Sequence, residues 1–175
     1  AQTHVLHAGA DDGALVGNQQ DVLLRMHQQQ RSQIAGLVGE VHGTDALAVA
    51  NKNKEKLGIE ASFIESNLFE QVTGKYDIIV SNPPYIRSDV IPTLMEEVRD
   101  HEPLLALDGT EDGLFFYRKI VAESPDYLNG GGMLFFEIGY DQAEDVSRLM
   151  EEAGYKDVTV VKDFAGLDRV VYGRR

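Results

Sequence analysis

The sequence predicts an α/β fold: a doubly wound, mostly parallel sheet with helices on both faces and an antiparallel last strand. Three observations lead there. From about residue 44 onward, short apolar runs alternate with stretches of helical periodicity. Two runs, Ile78-Ile79-Val80 and Met133-Leu134-Phe135-Phe136, are apolar at consecutive positions, as strands covered on both faces are. The last two runs have no helical stretch between them, so they must lie antiparallel.

Taken in order, Thr3 to Leu6 reads as a first strand and Ala8 to Gly13 as the turn after it. Ala14 to Gln30 is Gln-rich and only moderately periodic, and Ile34 to Glu40 reads as a second strand weakened by its glycines. Thr44-Asp45 caps a helix running through Lys56, and Gly58 ends it. Ala61 to Ile64 is a short strand and Tyr76 to Ser81 a buried one. Gly113 to Tyr127 places Leu114, Tyr117, Ile120 and Val121 on a helical stripe. Gly130-Gly131-Gly132 reads as a turn into the strand Met133 to Ile138. Asp141 to Ala153 is a helix with Val146, Leu149 and Met150 inward, ended by Gly154. Val158 to Val161 and Arg169 to Tyr172 form the final strand pair, with Asp168-Arg169 as a turn with local ion pairing. Phe115-Phe116 and Phe135-Phe136 read as core rather than as a platform for stacking bases.

The bulk numbers bound the function. A chain of 175 residues, 43% hydrophobic and 26% charged, fits one domain with an ordinary core, so residues 1–175 are read as a single unit. It has no cysteine, which removes thiolate metal sites and thiol nucleophiles and suits a reducing cytoplasm. The net charge of −13 and the dispersed Lys and Arg count against nucleic acid as the direct partner. The histidines His4, His7, His27, His42 and His101 show no helical i, i+4 pairing, so no metal site is expected. No apolar run approaches a membrane span, and no signal peptide is visible. The chain begins with Ala1 in place of Met, so it is read as a fragment or a processed product.

Asn82-Pro83-Pro84-Tyr85 follows the buried run Tyr76 to Ser81, at the carboxyl end of a strand, where doubly wound sheets bind ligands. Asparagine offers one carbonyl acceptor and two N–H donors. The prolines remove backbone donors and stiffen the loop. Tyrosine adds a flat face for a flat substrate. The set suits methyl transfer to an amide or an exocyclic amine, although Asn-Pro also starts ordinary turns. Downstream, Glu97, Arg99, His101 and Glu102 read either as a solvated segment or as a substrate loop. Glu137 reads as structural.

Four stretches together resemble the HemK-type family, the N5-glutamine methyltransferases of peptide chain release factors. They are DIIVSNPPYI, EVRDHEPLLALDGTEDGLFFYRKI, GGGMLFFEIGYDQ and KDFAGLDRVVYGR, within residues 44–174. The NPPY tetrapeptide is shared with adenine and guanine amino-methyltransferases, whereas the segment from Glu97 to Leu114 is more specific. The resemblance implies a Rossmann-like sheet of seven strands, S-adenosylmethionine as donor and a release-factor glutamine as acceptor. It assigns Asn82, Pro83 and Tyr85 to catalysis and Asn82, Pro83, Pro84 and Tyr85 to substrate binding. For the cofactor it points to Gly9, Gly13, Glu40, Asn67, Leu68 and Asn82. The family's helical domain ahead of the catalytic one is not expected in this sequence.

The opening segment departs from the family. His7 stands where an acidic residue is expected, and Asp11 where the middle glycine of the turn belongs. That aspartate adds bulk and negative charge beside the donor's carboxylate, which weakens binding. Asn67 replaces a common aspartate and keeps a carbonyl acceptor. Either the cofactor half has diverged, or residues 1–43 are not the native sequence of this fold. Two other functions stay open: an NPPY amino-methyltransferase of nucleic acid, and a silent binding module with a methyltransferase fold. The bacterial cytoplasm is the expected location.

Overall fold

The computed structural model describes residues 2–6, 34–38, 43–58 and 61–175. The described strands are β1 (Gln2–Leu6), β2 (Ile34–Val38), β3 (Ala61–Glu65), β4 (Tyr76–Asn82), β5 (Leu128–Glu137), β6 (Lys156–Lys162) and β7 (Asp168–Arg174). The helices are α1 (Gly43–Leu57), the short α2 (Glu96–Arg99) and α3 (Leu104–Leu107), α4 (Phe115–Glu123) and α5 (Ala143–Glu152). One mixed sheet holds the strands in the order β3-β2-β1-β4-β5-β7-β6.

The sheet is less parallel than the sequence predicts. Strands β2 and β3 pair parallel, as do β4 and β5, but β1 runs antiparallel to both β2 and β4. A parallel neighbour needs a long crossover that packs its own apolar stripe on the sheet. The Gln-rich sequence between β1 and β2 offers little such stripe, whereas antiparallel pairing asks for none. At the other end β7 lies antiparallel between β5 and β6, so the two final runs form the expected antiparallel pair.

The core sits on one face of the centre of the sheet. Ile79 of β4, Leu134 and Phe136 of β5 and Val171 of β7 are fully buried there. Tyr117 and Ile120 from α4 and Val146 and Met150 from α5 close over them. Each such side chain contributes about 1.5–3 kcal/mol by leaving water. The Tyr117 ring meets Phe136 edge-on, 5.1 Å between centroids. The opposite face is only half-buried at Ile78, Val80, Met133 and Phe135, and Phe135 stacks on Tyr172 at 4.9 Å. Phe115 departs from its expected core position and is 40% exposed, because α4 turns its next residues, Phe116 and Tyr117, inward.

The three glycines read as a turn lie inside β5 instead. Tyr76 pairs with Leu128 and Ile78 with Met133, so the residues between bulge out of the ladder. Gly131 and Gly132 exchange backbone hydrogen bonds with Arg175 (3.2 and 2.8 Å), which holds the bulge against the chain's last residue.

Candidate active site

Direction along the sheet decides what can meet. With β1 reversed twice against its neighbours, β2, β3, β4 and β5 all point the same way. Their carboxyl ends share one edge, and β7 starts there too. Asn82 ends β4 on that edge, and Asn67 and Leu68 follow β3 on it. Three strand spacings separate β3 from β4, about 14 Å. At β1 it is Gln2 that pairs with Asn82, while Leu6 pairs with Ile78. Gly9, Gly13 and Glu40 lie outside the described residues.

On the β3 side, a turn presents Asn67. The buried Ser66 hydroxyl donates to the Leu68 carbonyl (3.0 Å) and accepts from the Gln71 amide (2.9 Å). Leu68 is buried with φ of 50°. Asn67 stays exposed, its amide nitrogen 2.9 Å from Glu70. A carboxamide held at the strand end is free to meet a ligand's polar edge.

On the β4 side, Asn82 is exposed while Pro83 and Pro84 are buried. The loop after them is stitched to the segment 107–110. The Ile86 amide donates to Leu107 (3.1 Å), the Gly109 amide to Ile86 (2.8 Å) and the Ser88 amide to Thr110 (3.0 Å). Asp108 braces this segment, accepting from the Ser88 hydroxyl at 2.7 Å and the Thr110 amide at 2.8 Å. The stretch LDGTEDG is thus the backing of the NPPY loop. Its glycines leave room: a Cβ on Gly109 would stand 2.8 Å from the Tyr85 backbone.

Tyr85 is half-buried and packs against the core. Burial and then the Glu137 carboxylate push its phenol up, and the Arg169 guanidinium beside it partly offsets them. Arg169 is itself held, donating to Asp163 at 3.2 Å and to the Ile138 carbonyl at 3.2 Å. Its ion-pair partner is therefore Asp163, and Asp168 pairs instead with Lys162. Glu137 accepts the Tyr117 hydroxyl at its backbone carbonyl (2.9 Å), so its main chain serves the structure. Glu97, Arg99, His101 and Glu102 are exposed or nearly so around α2, and Arg99 pairs with Asp100 at 2.6 Å. Among the described residues no cluster of His, Cys, Asp and Glu has the arrangement of a metal site.

Gln142 is the residue the sequence reading misses. It is buried, and its amide nitrogen donates to the Tyr85 carbonyl at 3.1 Å. A signal for it exists in the chain: Gln142, Val146 and Met150 share one face at i, i+4 and i+8, which sets an amide on an otherwise apolar stripe.

Comparison with known proteins agrees with this architecture. Residues 22–101 match the family model described as the methyltransferase small domain. A methyltransferase from Pyrococcus furiosus aligns with a TM-score of 0.57 at 19% identity, over 79% of this chain and 61% of that one. The ribosomal protein L11 methylase of Lactobacillus delbrueckii subsp. bulgaricus gives 0.52 at 17%, over 79% and 56%. At such identities the likeness establishes the fold alone. The fold is that of methyltransferase-type domains. A release factor glutamine methyltransferase from Agrobacterium fabrum is 45% identical over 146 residues, 82% of this chain and 50% of that protein. One from Clostridium botulinum is 55% identical over 101 residues, 58% and 36%. The chain is thus similar to release factor glutamine methyltransferases, and it spans about half the length of the relative from Agrobacterium fabrum.

Proposed function

We propose that this chain carries the catalytic part of an enzyme that methylates the side-chain amide nitrogen of a glutamine in peptide chain release factors, with S-adenosylmethionine as donor. The observation that carries the reading is the NPPY loop. It stands at the carboxyl end of β4, backed by residues 107–110, with Asn82 open to solvent. The names of the relatives at 45% and 55% identity supply the substrate class. The expected Rossmann-like sheet of seven strands with helices on both faces belongs to the same reading. So does a bacterial cytoplasmic setting, in keeping with the bacterial relatives; no described helix is long and apolar enough to cross a membrane.

The residues divide the work by chemistry. A glutamine amide nitrogen is a weak nucleophile because its lone pair is delocalised into the carbonyl. Two acceptors, the Asn82 side-chain carbonyl and the Pro83 backbone carbonyl, take its two N–H groups and turn the lone pair outward. Pro84 stiffens the loop, and Tyr85 walls the plane of the amide. Bound at this edge, S-adenosylmethionine supplies a methyl already activated on sulfonium. Asn67 and Leu68 would hold its adenine side, with Asn82 near the methyl end; the resemblance alone assigns Gly9, Gly13 and Glu40 to the remainder, and β1, which precedes Gly9 and Gly13, ends at Leu6 toward the opposite edge. The exposed carboxamide of Asn67, on the same edge as Asn82, fits that group. The amide proton leaves after transfer, so no strong base is required of the site.

The test is a methyl-transfer assay with purified release factor, run beside adenine-containing DNA and RNA. Release factor alone should be methylated, and Asn82→Ala should abolish turnover without unfolding the chain. Methylation of nucleic acid, or full activity in the variant, would overturn the assignment.

A further inference from the structure

Buried amides are costly unless every donor and acceptor is matched. Gln142 is 8% exposed, and its carboxamide meets four segments of the chain. Its nitrogen donates to the Tyr85 carbonyl at 3.1 Å and to the Gly113 carbonyl at 3.3 Å. Its oxygen accepts from the Gly139 amide at 3.0 Å. The Tyr117 hydroxyl stands 3.5 Å from that oxygen, but its one proton goes to the nearer Glu137 carbonyl at 2.9 Å. The orientation is unambiguous. Flipped, the amide oxygen would face two carbonyl oxygens and the nitrogen would face an N–H.

The surroundings are shaped to admit this one side chain. A Cβ on Gly113 would lie 2.6 Å from the Gln142 nitrogen, and one on Gly139 would lie 2.9 Å from its oxygen. The amide therefore joins the last residue of NPPY, the start of α4, the end of β5 and the start of α5. Helix stability alone explains none of this, since the Gln142 side chain makes no capping bond to its own helix.

We infer that Gln142 is a positioning residue: its amide fixes the Tyr85 carbonyl and so holds the aim of Asn82 and Pro83, three residues and two residues upstream. This rests on the methyltransferase reading above. The stiffness of two prolines passes that constraint along the loop, so a displacement at Tyr85 is carried to the acceptors that grip the substrate amide.

The experiment uses this chain with Gln142→Leu, the isosteric Gln142→Glu, and Val146→Ala as a control. Val146 lies one helical turn further on α5, and its side chain is buried in the hydrophobic core. Hydrogen exchange is followed at Ile86 and Ser88, whose amides bond to Leu107 and Thr110. In both Gln142 variants these amides should exchange at least tenfold faster relative to β4 and β5, whereas Val146→Ala should move all slow amides together. With release factor as substrate, kcat should fall at least tenfold in both Gln142 variants while the Kd for S-adenosylmethionine holds. Exchange at Ile86 and Ser88 that tracks the core, or an unchanged kcat beside loosened amides, overturns the inference. If the unmodified chain methylates no release factor, the functional reading fails, and the exchange data still decide whether Gln142 holds the loop.

Discussion

A Cβ placed on Gly113 would lie 2.5 Å from the carbonyl oxygen of Tyr85. The same glycine has φ of 73°, a conformation that L side chains adopt at a cost. Two independent demands meet at this position, one from its own backbone and one from the loop it backs. The sequence places a glycine here because the NPPY loop and the start of α4 share the space a methyl group would fill.

Gly113→Ala and Gly131→Ala therefore separate the two demands. Gly131 also has positive φ (82°), but a Cβ there meets nothing within 4 Å. Its replacement should cost about 1–2 kcal/mol of backbone strain. Gly113→Ala adds the displacement of Tyr85 and should cost roughly 3 kcal/mol or more. Urea unfolding of both variants measures the gap. Equal losses would mean that Tyr85 moves aside without cost.

The strands that carry this site are legible in the sequence, and the grips on it are not. Ile78-Ile79-Val80 and Met133 to Phe136 announce strands because they are short apolar runs, β-branched or aromatic in part and flanked by Pro or Gly. The final antiparallel pair follows from the lack of a helical stretch between the runs. The reversal of β1 does not follow, since nothing in the five residues Gln2 to Leu6 fixes the direction in which they pair. The glycines at 130–132 mislead because a turn and a bulge draw on the same residue. Asn82 can be found from its motif, but Gln142 touches Tyr85 across 57 residues of chain, a separation that local pattern does not encode.

Tyr117→Phe tests the joint behind the site. Tyr117 is fully buried, and its hydroxyl donates to the Glu137 carbonyl at 2.9 Å. Burial keeps the phenol neutral well above the pH at which tyrosine ordinarily ionises. The variant keeps the ring contact with Phe136 and strands one carbonyl, at a cost of about 1–2 kcal/mol. Tyr117→Ala loses the packing as well and should cost about 3–5 kcal/mol. Thermal unfolding of the two checks the difference.

Acid should release the tip of the hairpin between β6 and β7. The Leu167 amide, then the Arg169 guanidinium and the Ala165 amide, hold the Asp163 carboxyl below the usual carboxylate range, against the opposing effect of burial. Its native pKa is lower than its unfolded value of about 3.9. The stabilisation is thus fully present above that value and is lost as pH falls through the native one. The stability difference between the wild-type chain and Asp163→Asn should be constant above about pH 5 and shrink below about pH 4. Unfolding measured from pH 2 to 7 reads it. A difference that grows toward acid would reverse the assignment.

Calorimetry with S-adenosylmethionine distinguishes an enzyme from a silent module of the same fold. The described half of the proposed cofactor edge is in order: Ser66 fixes the turn after β3, and Asn67 presents its carboxamide there. Elsewhere in the sequence, Asp11 stands where the family resemblance expects a close-approach glycine, which would weaken the hold on the donor's carboxylate. We expect a measurable heat with an affinity below that of a chain with glycine at this position. Asp11→Gly should then tighten binding, because it removes both a side chain and a negative charge. Asn67→Ala should weaken it by about tenfold, the worth of one hydrogen bond to a polar edge. No heat in the parent chain together with none in Asp11→Gly would leave the methyltransferase fold without its donor and the silent module as the better account.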